Sequence, residues 1–112
     1  MRYAVPLTDG ILAAHFGHCE HFAIIDADEM QQKIIKKEVI ASPGHEPGFL
    51  PAWLAEQGVA FVIAGGIGSR AITIFEENHI KVITGATEEN PEIAVLNYIG
   101  GILETSGNVC DH

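Results

Sequence analysis

Residues 59 to 66, VAFVIAGG, carry no charged side chain and close on two glycines. Such a run is too short to span a membrane, and as a strand it is apolar on both faces, so it needs cover above and below its sheet. IGSRAITIFEENH, residues 67 to 79, follows with Ile67, Ala71, Ile74 and Phe75 on one helical stripe. IKVITG, residues 80 to 85, is a further apolar strand, and Asn90 with Pro91 opens a helix over PEIAVLNYIGG, residues 91 to 101. PAWLAEQG, residues 51 to 58, is predicted as the helix before the first of these strands, started by Pro51 and stopped by Gly58. This alternation predicts parallel strands joined by crossover helices.

The N-terminal part has a different period. RYAVPL, residues 2 to 7, reads as a buried strand ended by the turn Thr8-Asp9-Gly10. CEHFAIID, residues 19 to 26, is predicted as the second strand, and KIIKKEVIA, residues 33 to 41, alternates like a half-exposed edge strand paired with it as an antiparallel hairpin. SPGHEPGFLP, residues 42 to 51, holds three prolines and two glycines and is predicted as an exposed loop. The expected order is β-β-β-α-β-α-β-α, a mixed sheet with helices on both faces. Residues 1–104 are expected to form one domain, with 105–112 as a flexible tail.

Six Lys and Arg against 15 Asp and Glu give a formal charge of -9, which repels phosphate backbones and anionic lipid, so neither nucleic acid nor membrane is an expected partner. MRYAVPLTDG lacks the long apolar segment of an export signal, so a cytoplasmic location is expected, with Cys19 and Cys110 as thiols or metal ligands more readily than a disulfide.

Two stretches carry candidate chemistry. HFGHCEH, residues 15 to 21, gathers His15, His18, Cys19 and His21, with Cys19 and His21 expected on one face of a strand; the tail adds Cys110, Asp111 and His112. Thiolate and imidazole together suit zinc, copper(I) or iron–sulfur species. AGGIGSRA, residues 64 to 71, is a glycine-rich turn into a helix, where N–H groups and Arg70 form an anion site. Gly66, Gly68 and Ala71 also spell GxGxxA, with Glu88 near the position of a ribose-binding acid, which keeps a small nucleotide-binding enzyme as the weakest alternative. No phosphate-binding Lys of a Walker motif and no nucleophile-elbow context is present.

With HFG at 15–17, GHEPGFLP at 44–51 and VIAGGIGSRA at 62–71, the chain resembles the dinitrogenase iron–molybdenum cofactor biosynthesis family, which includes the nitrogenase accessory proteins X and Y. That resemblance implies a ribonuclease H-like, three-layer α/β/α domain with a five-stranded mixed sheet. It implies a non-enzymatic protein that binds, carries or delivers an iron–sulfur or iron–molybdenum-type cluster, with cluster donor and acceptor proteins as partners; a monomer or weak homodimer is expected. On the family pattern His15, Phe16 and Gly17, His45, and Gly65, Gly66, Gly68 and Arg70 would contact the cofactor. The metal-ligand candidates are His15, His18, Cys19, His21, His45, Cys110 and His112. A plain zinc or copper protein using the His/Cys group is the alternative.

Overall fold

The computed structural model describes residues 1–44 and 49–106. The elements are β1 (Arg2–Thr8), β2 (Ile11–Leu12), a 3-10 turn (Phe16–His18), β3 (His21–Asp28), β4 (Lys33–Ala41), α1 (Phe49–Glu56), β5 (Phe61–Ile63), α2 (Ser69–Glu77), β6 (Lys81–Ile83) and α3 (Pro91–Ile99). The main sheet runs β4-β3-β1-β5-β6, with β2 paired to β1. β3 is antiparallel to both β1 and β4. β5 is parallel to β1 and to β6.

Alternation along the central strands explains their unbroken apolar sequences. Ala4, Phe22, Ile24 and Val62 join Leu50 and Leu54 of α1 and Phe75 of α2 in one core. Their neighbours Tyr3, Val5, Ala23, Ile25 and Ile63 join Ala94 and Val95 of α3 in a second core. The sheet is therefore the middle of three layers, and every inner strand must be apolar on both faces. Asn90 caps α3, its Oδ1 accepting from the amides of Glu92 at 2.9 Å and Ile93 at 3.2 Å.

The five-stranded sheet expected from the resemblance is corrected to six strands. The extra one, β2, is two residues long, and a two-residue strand leaves no period in a sequence. Leu7 of β1 pairs with both His21 and Leu12, so β2 and β3 lie on opposite edges of β1. β5 takes that same edge lower down, opposite Tyr3 and Ala4. β2 thus fills the space beside β1 above the end of β5.

Other boundaries shift as well. β3 starts at His21, since Cys19 belongs to the end of the 3-10 turn. α1 begins at Phe49, so Pro51 is its third residue, still in the first turn where no N–H has an intrahelical partner. Among the described residues no helix is long and apolar enough to cross a membrane. Thr105 bridges Ala86, and the Ser106 amide donates to the Gly85 carbonyl at 2.7 Å.

Candidate functional site: a cleft at the carboxyl ends of the parallel strands

β2 carries the chain from the end of β1 across to the end of β5, and this crossing joins the two motifs. His15 forms a parallel bridge with Gly66. The Phe16 amide donates to the Gly66 carbonyl at 2.8 Å, and the Gly66 amide donates to the Ala14 carbonyl at 2.7 Å. Gly65 is obligatory beside this bridge: a Cβ there would stand 2.8 Å from the carbonyl oxygens of both Ala13 and Ala14. Phe16 is buried against Phe22 and Phe75, at 6.2 and 5.6 Å between ring centroids. It therefore anchors the segment in the α1/α2 core.

A cleft of about 490 Å³ opens beside the bridge, lined by β1 and β2 residues, Gly65, Gly66, the 85–89 loop and Ser106. It lies outside the carboxyl ends of β1, β5 and β6. There the connection after β5 leads to α2 on one face and the connection after β6 leads to α3 on the other, the topological position where open α/β sheets bind ligands. Its floor is glycine and alanine, while Asp9, Glu88 and Glu89 bring carboxylates to its wall. Glu88 accepts from the Asn90 amide at 3.1 Å, so that carboxylate helps start α3.

Ala14 lines the cleft, and His15, the next residue, is exposed. His18 is also exposed, its ring centroid 5.9 Å from that of His15. The Thr8 hydroxyl donates to the His18 carbonyl at 3.0 Å and ties the turn to the end of β1. On the other side of the bridge, α2 starts at Gly68, which has no side chain to cap it. The positive end of the α2 dipole is thus open to an anion beside the HFG segment. Arg70 is the second residue of α2 and is exposed.

The expected four-donor cluster is not assembled. Among the described residues no three His, Cys, Asp or Glu side chains are placed to hold a metal ion. Cys19, expected to share a face with His21, is 3% exposed and joins the α1/α2 core, while His21 is exposed. Burial pushes the Cys19 thiol up to about 11, so it is neutral at physiological pH and poorly suited to ligation. His45, Cys110, Asp111 and His112 lie outside the described residues. The GxGxxA reading also weakens, because the Gly66 amide is engaged by Ala14.

Sequence reasoning missed Thr8, Asp9, Gly85, Ala86 and Ser106 as cleft residues. Thr8 and Asp9 looked like turn formers only. The signal that was present is positional: Gly85 ends a parallel strand, as Gly65 does. Gly85 has φ +73° and faces Ser106 so closely that a Cβ would overlap the Ser106 carbonyl oxygen.

The geometry defines an α/β domain with a cleft where its connections part, next to a segment that exposes two imidazoles. The chain belongs to the dinitrogenase iron–molybdenum cofactor family, whose profile matches residues 1–101. It is 32% identical over 107 residues to uncharacterized protein MJ0580 of Methanocaldococcus jannaschii, covering 93% of this chain and 90% of that one. The crystal structure of PH0822 is similar at TM-score 0.85 and 31% identity, covering 95% of both chains. The apo form of the orange protein from Desulfovibrio gigas shares the fold at TM-score 0.71 and 23% identity, over 96% of this chain and 93% of that one.

Proposed function

We propose that this chain is a non-catalytic carrier that accepts a preassembled metal–sulfur cluster, of iron–sulfur or iron–molybdenum type, from a donor protein and passes it to an acceptor. Its place of action on this reading is the cytoplasm, in dinitrogenase cofactor assembly. The observation that carries the reading is the His15–Gly66 bridge. It makes the HFG segment and the glycine turn one rigid unit at the cleft rim, beside the open start of α2. The family's name supplies the cargo class, and the strand order β4-β3-β1-β5-β6 supports the ribonuclease H-like label.

A metal–sulfur cluster is a multi-atom anion. It is held reversibly by one or two exchangeable side-chain ligands and by N–H donors toward its sulfides, not by a cage of thiolates. Exposed His15 and His18 supply imidazoles, and the first turn of α2 supplies N–H groups and a favourable dipole. Asp9, Glu88 and Glu89 on the far wall oppose an anion, which confines the cargo to the His15 side and favours its release.

Anaerobic incubation with a preformed iron–sulfur or molybdenum–iron–sulfur cluster, followed by gel filtration, tests this. The protein peak should carry visible absorbance, iron and acid-labile sulfide. Clusters that never co-elute would sink the proposal, and stoichiometric zinc or copper without sulfide in the isolated protein would replace it with the simple metal-site alternative.

A further inference from the structure

Among the described residues β4 is the longest strand, nine residues, and it forms one edge of the sheet, with no strand beside its outward N–H and C=O groups. An edge of this kind is a template for another strand. Two large apolar side chains stand out on it, Ile35 at 64% and Val39 at 50% exposure. Ile35 has no partner residue in β3, because the register shifts between Asp26 and Ala27.

The charge order along KIIKKEVIA decides which strand fits. Glu38 lies opposite Ile24 and Lys36 opposite Asp26, so Lys36 and Glu38 share the α1/α2 face. Lys37 lies opposite Ile25 on the other face, where its Nζ bonds Glu92 of α3 at 3.0 Å. If two copies pair antiparallel about a two-fold axis perpendicular to the sheet, opposed residues must share a face, so the axis passes through a residue and not between two. An axis on Lys36 opposes two Lys36 side chains, and an axis on Glu38 opposes two Glu38 side chains. With the axis on Lys37, Lys36 meets Glu38 of the copy twice and Ile35 meets Val39 twice. The remaining Lys37 pair is balanced by the two Glu92 carboxylates.

We propose that β4 pairs with β4 of a second copy of this chain over Ile35–Val39, centred on Lys37, to give one continuous sheet. The lysines and the bulge that protect this edge from foreign strands then select its own copy. The ladder is five residues long and bounded at each end by a bulge, so the dimer is weak and forms with rising concentration. β4 is separated from β1 by β3, and the clefts of both copies stay open.

Sedimentation velocity from micromolar to millimolar protein should show a monomer–dimer equilibrium. Glu38→Lys and Lys36→Glu should each weaken it about tenfold or more, since two cross-strand pairs turn repulsive in each. An equimolar mixture of the two variants should dimerise again, because each supplies the charges the other lacks. Hydrogen exchange of the unmodified chain provides a reading free of variants: amides within Ile35–Val39 should gain protection as concentration rises. Monomer at every concentration overturns the proposal, as does a dimer indifferent to both substitutions or a mixture that fails to restore pairing.

Discussion

The Phe16 amide donates to the Gly66 carbonyl at 2.8 Å, and this bond ties the HFG segment to the glycine turn. Within the 3-10 turn, His18 N donates to His15 O at 3.1 Å and Cys19 N to Phe16 O at 3.2 Å, bonds that shape the turn but do not place it against the sheet. The position of His15 is therefore set by a turn far away in sequence. Substitutions in either piece should be felt in the other.

Gly65→Ala should show this coupling. Its Cβ would press on two backbone oxygens at 2.8 Å, neither of which can rotate away, so a loss of about 1–3 kcal/mol is expected from the forced backbone shift. Gly17→Ala in the HFG segment itself meets nothing within 4 Å and should remain within about 0.5 kcal/mol of the unmodified protein. Urea unfolding of both variants measures the difference; equal stabilities would mean that the bridge yields freely.

His15→Ala separates ligand from scaffold. The residue is exposed, and its contribution to the bridge is backbone, which alanine retains. Stability should change by about 0.5 kcal/mol or less, whereas cluster retention on gel filtration should fall strongly. His79→Ala is the control, since His79 precedes β6, at the end of the parallel strands opposite the cleft. Cluster retention equal to that of the unmodified protein would remove His15 from the site, and unfolding would make it structural.

The layered α/β order was legible because each inner strand is apolar on both faces and two helices carry boundary signals: the stop Gly58 after α1, with φ +81°, and the start Asn90 before α3, with its cap bonds. The HFG and glycine-turn motifs were legible as types of residue. Their contact was not, because it runs through β2, and two residues such as Ile11 and Leu12 show no periodicity. Cys19 misled for a related reason. Strand alternation placed it beside His21, but the 3-10 turn ends at His18 and β3 starts only at His21, so the parity linking the two residues is broken and the thiol turns inward. Ser106 was invisible as a cleft residue because nothing local shows that Gly85 has room only for its backbone.

The buried thiol gives a chemical readout. Desolvation raises Cys19 to about 11, above its unfolded value of roughly 8.5. The stability this represents is fully present below the unfolded value and is lost as pH rises toward the folded one. In a Cys110→Ser background, iodoacetamide at neutral pH should label Cys19 slowly in the native protein and rapidly in denaturant. Fast native labelling would show that the 3-10 turn opens readily and returns Cys19 to the list of candidate ligands.

The Arg2–Asp26 pair predicts the behaviour in acid. Arg2 Nε lies 2.8 Å from Asp26 Oδ1 and Nη2 lies 3.2 Å from Oδ2, a two-point contact across the β1–β3 ladder. The hydrogen bond to Arg2 is the chief cause of the lowering of the Asp26 carboxyl, opposed by desolvation and assisted by the charges of Arg2 and Lys36. A carboxylate lowered in the folded state stabilises above its unfolded value, and that contribution disappears as pH falls through the folded one. Both side chains are partly solvated, at 39% and 28% exposure, so the contribution is about 1 kcal/mol or less. Arg2→Ala should therefore lower stability at neutral pH by about that much, together with the loss of its bond to the Gln57 carbonyl. The difference between Arg2→Ala and the unmodified chain should narrow as pH drops below the carboxylate range, because Asp26 is then protonated in both. Urea midpoints measured across that range decide it: a difference that stays constant with pH would assign the effect of Arg2 to the Gln57 bond and to packing, not to its charge.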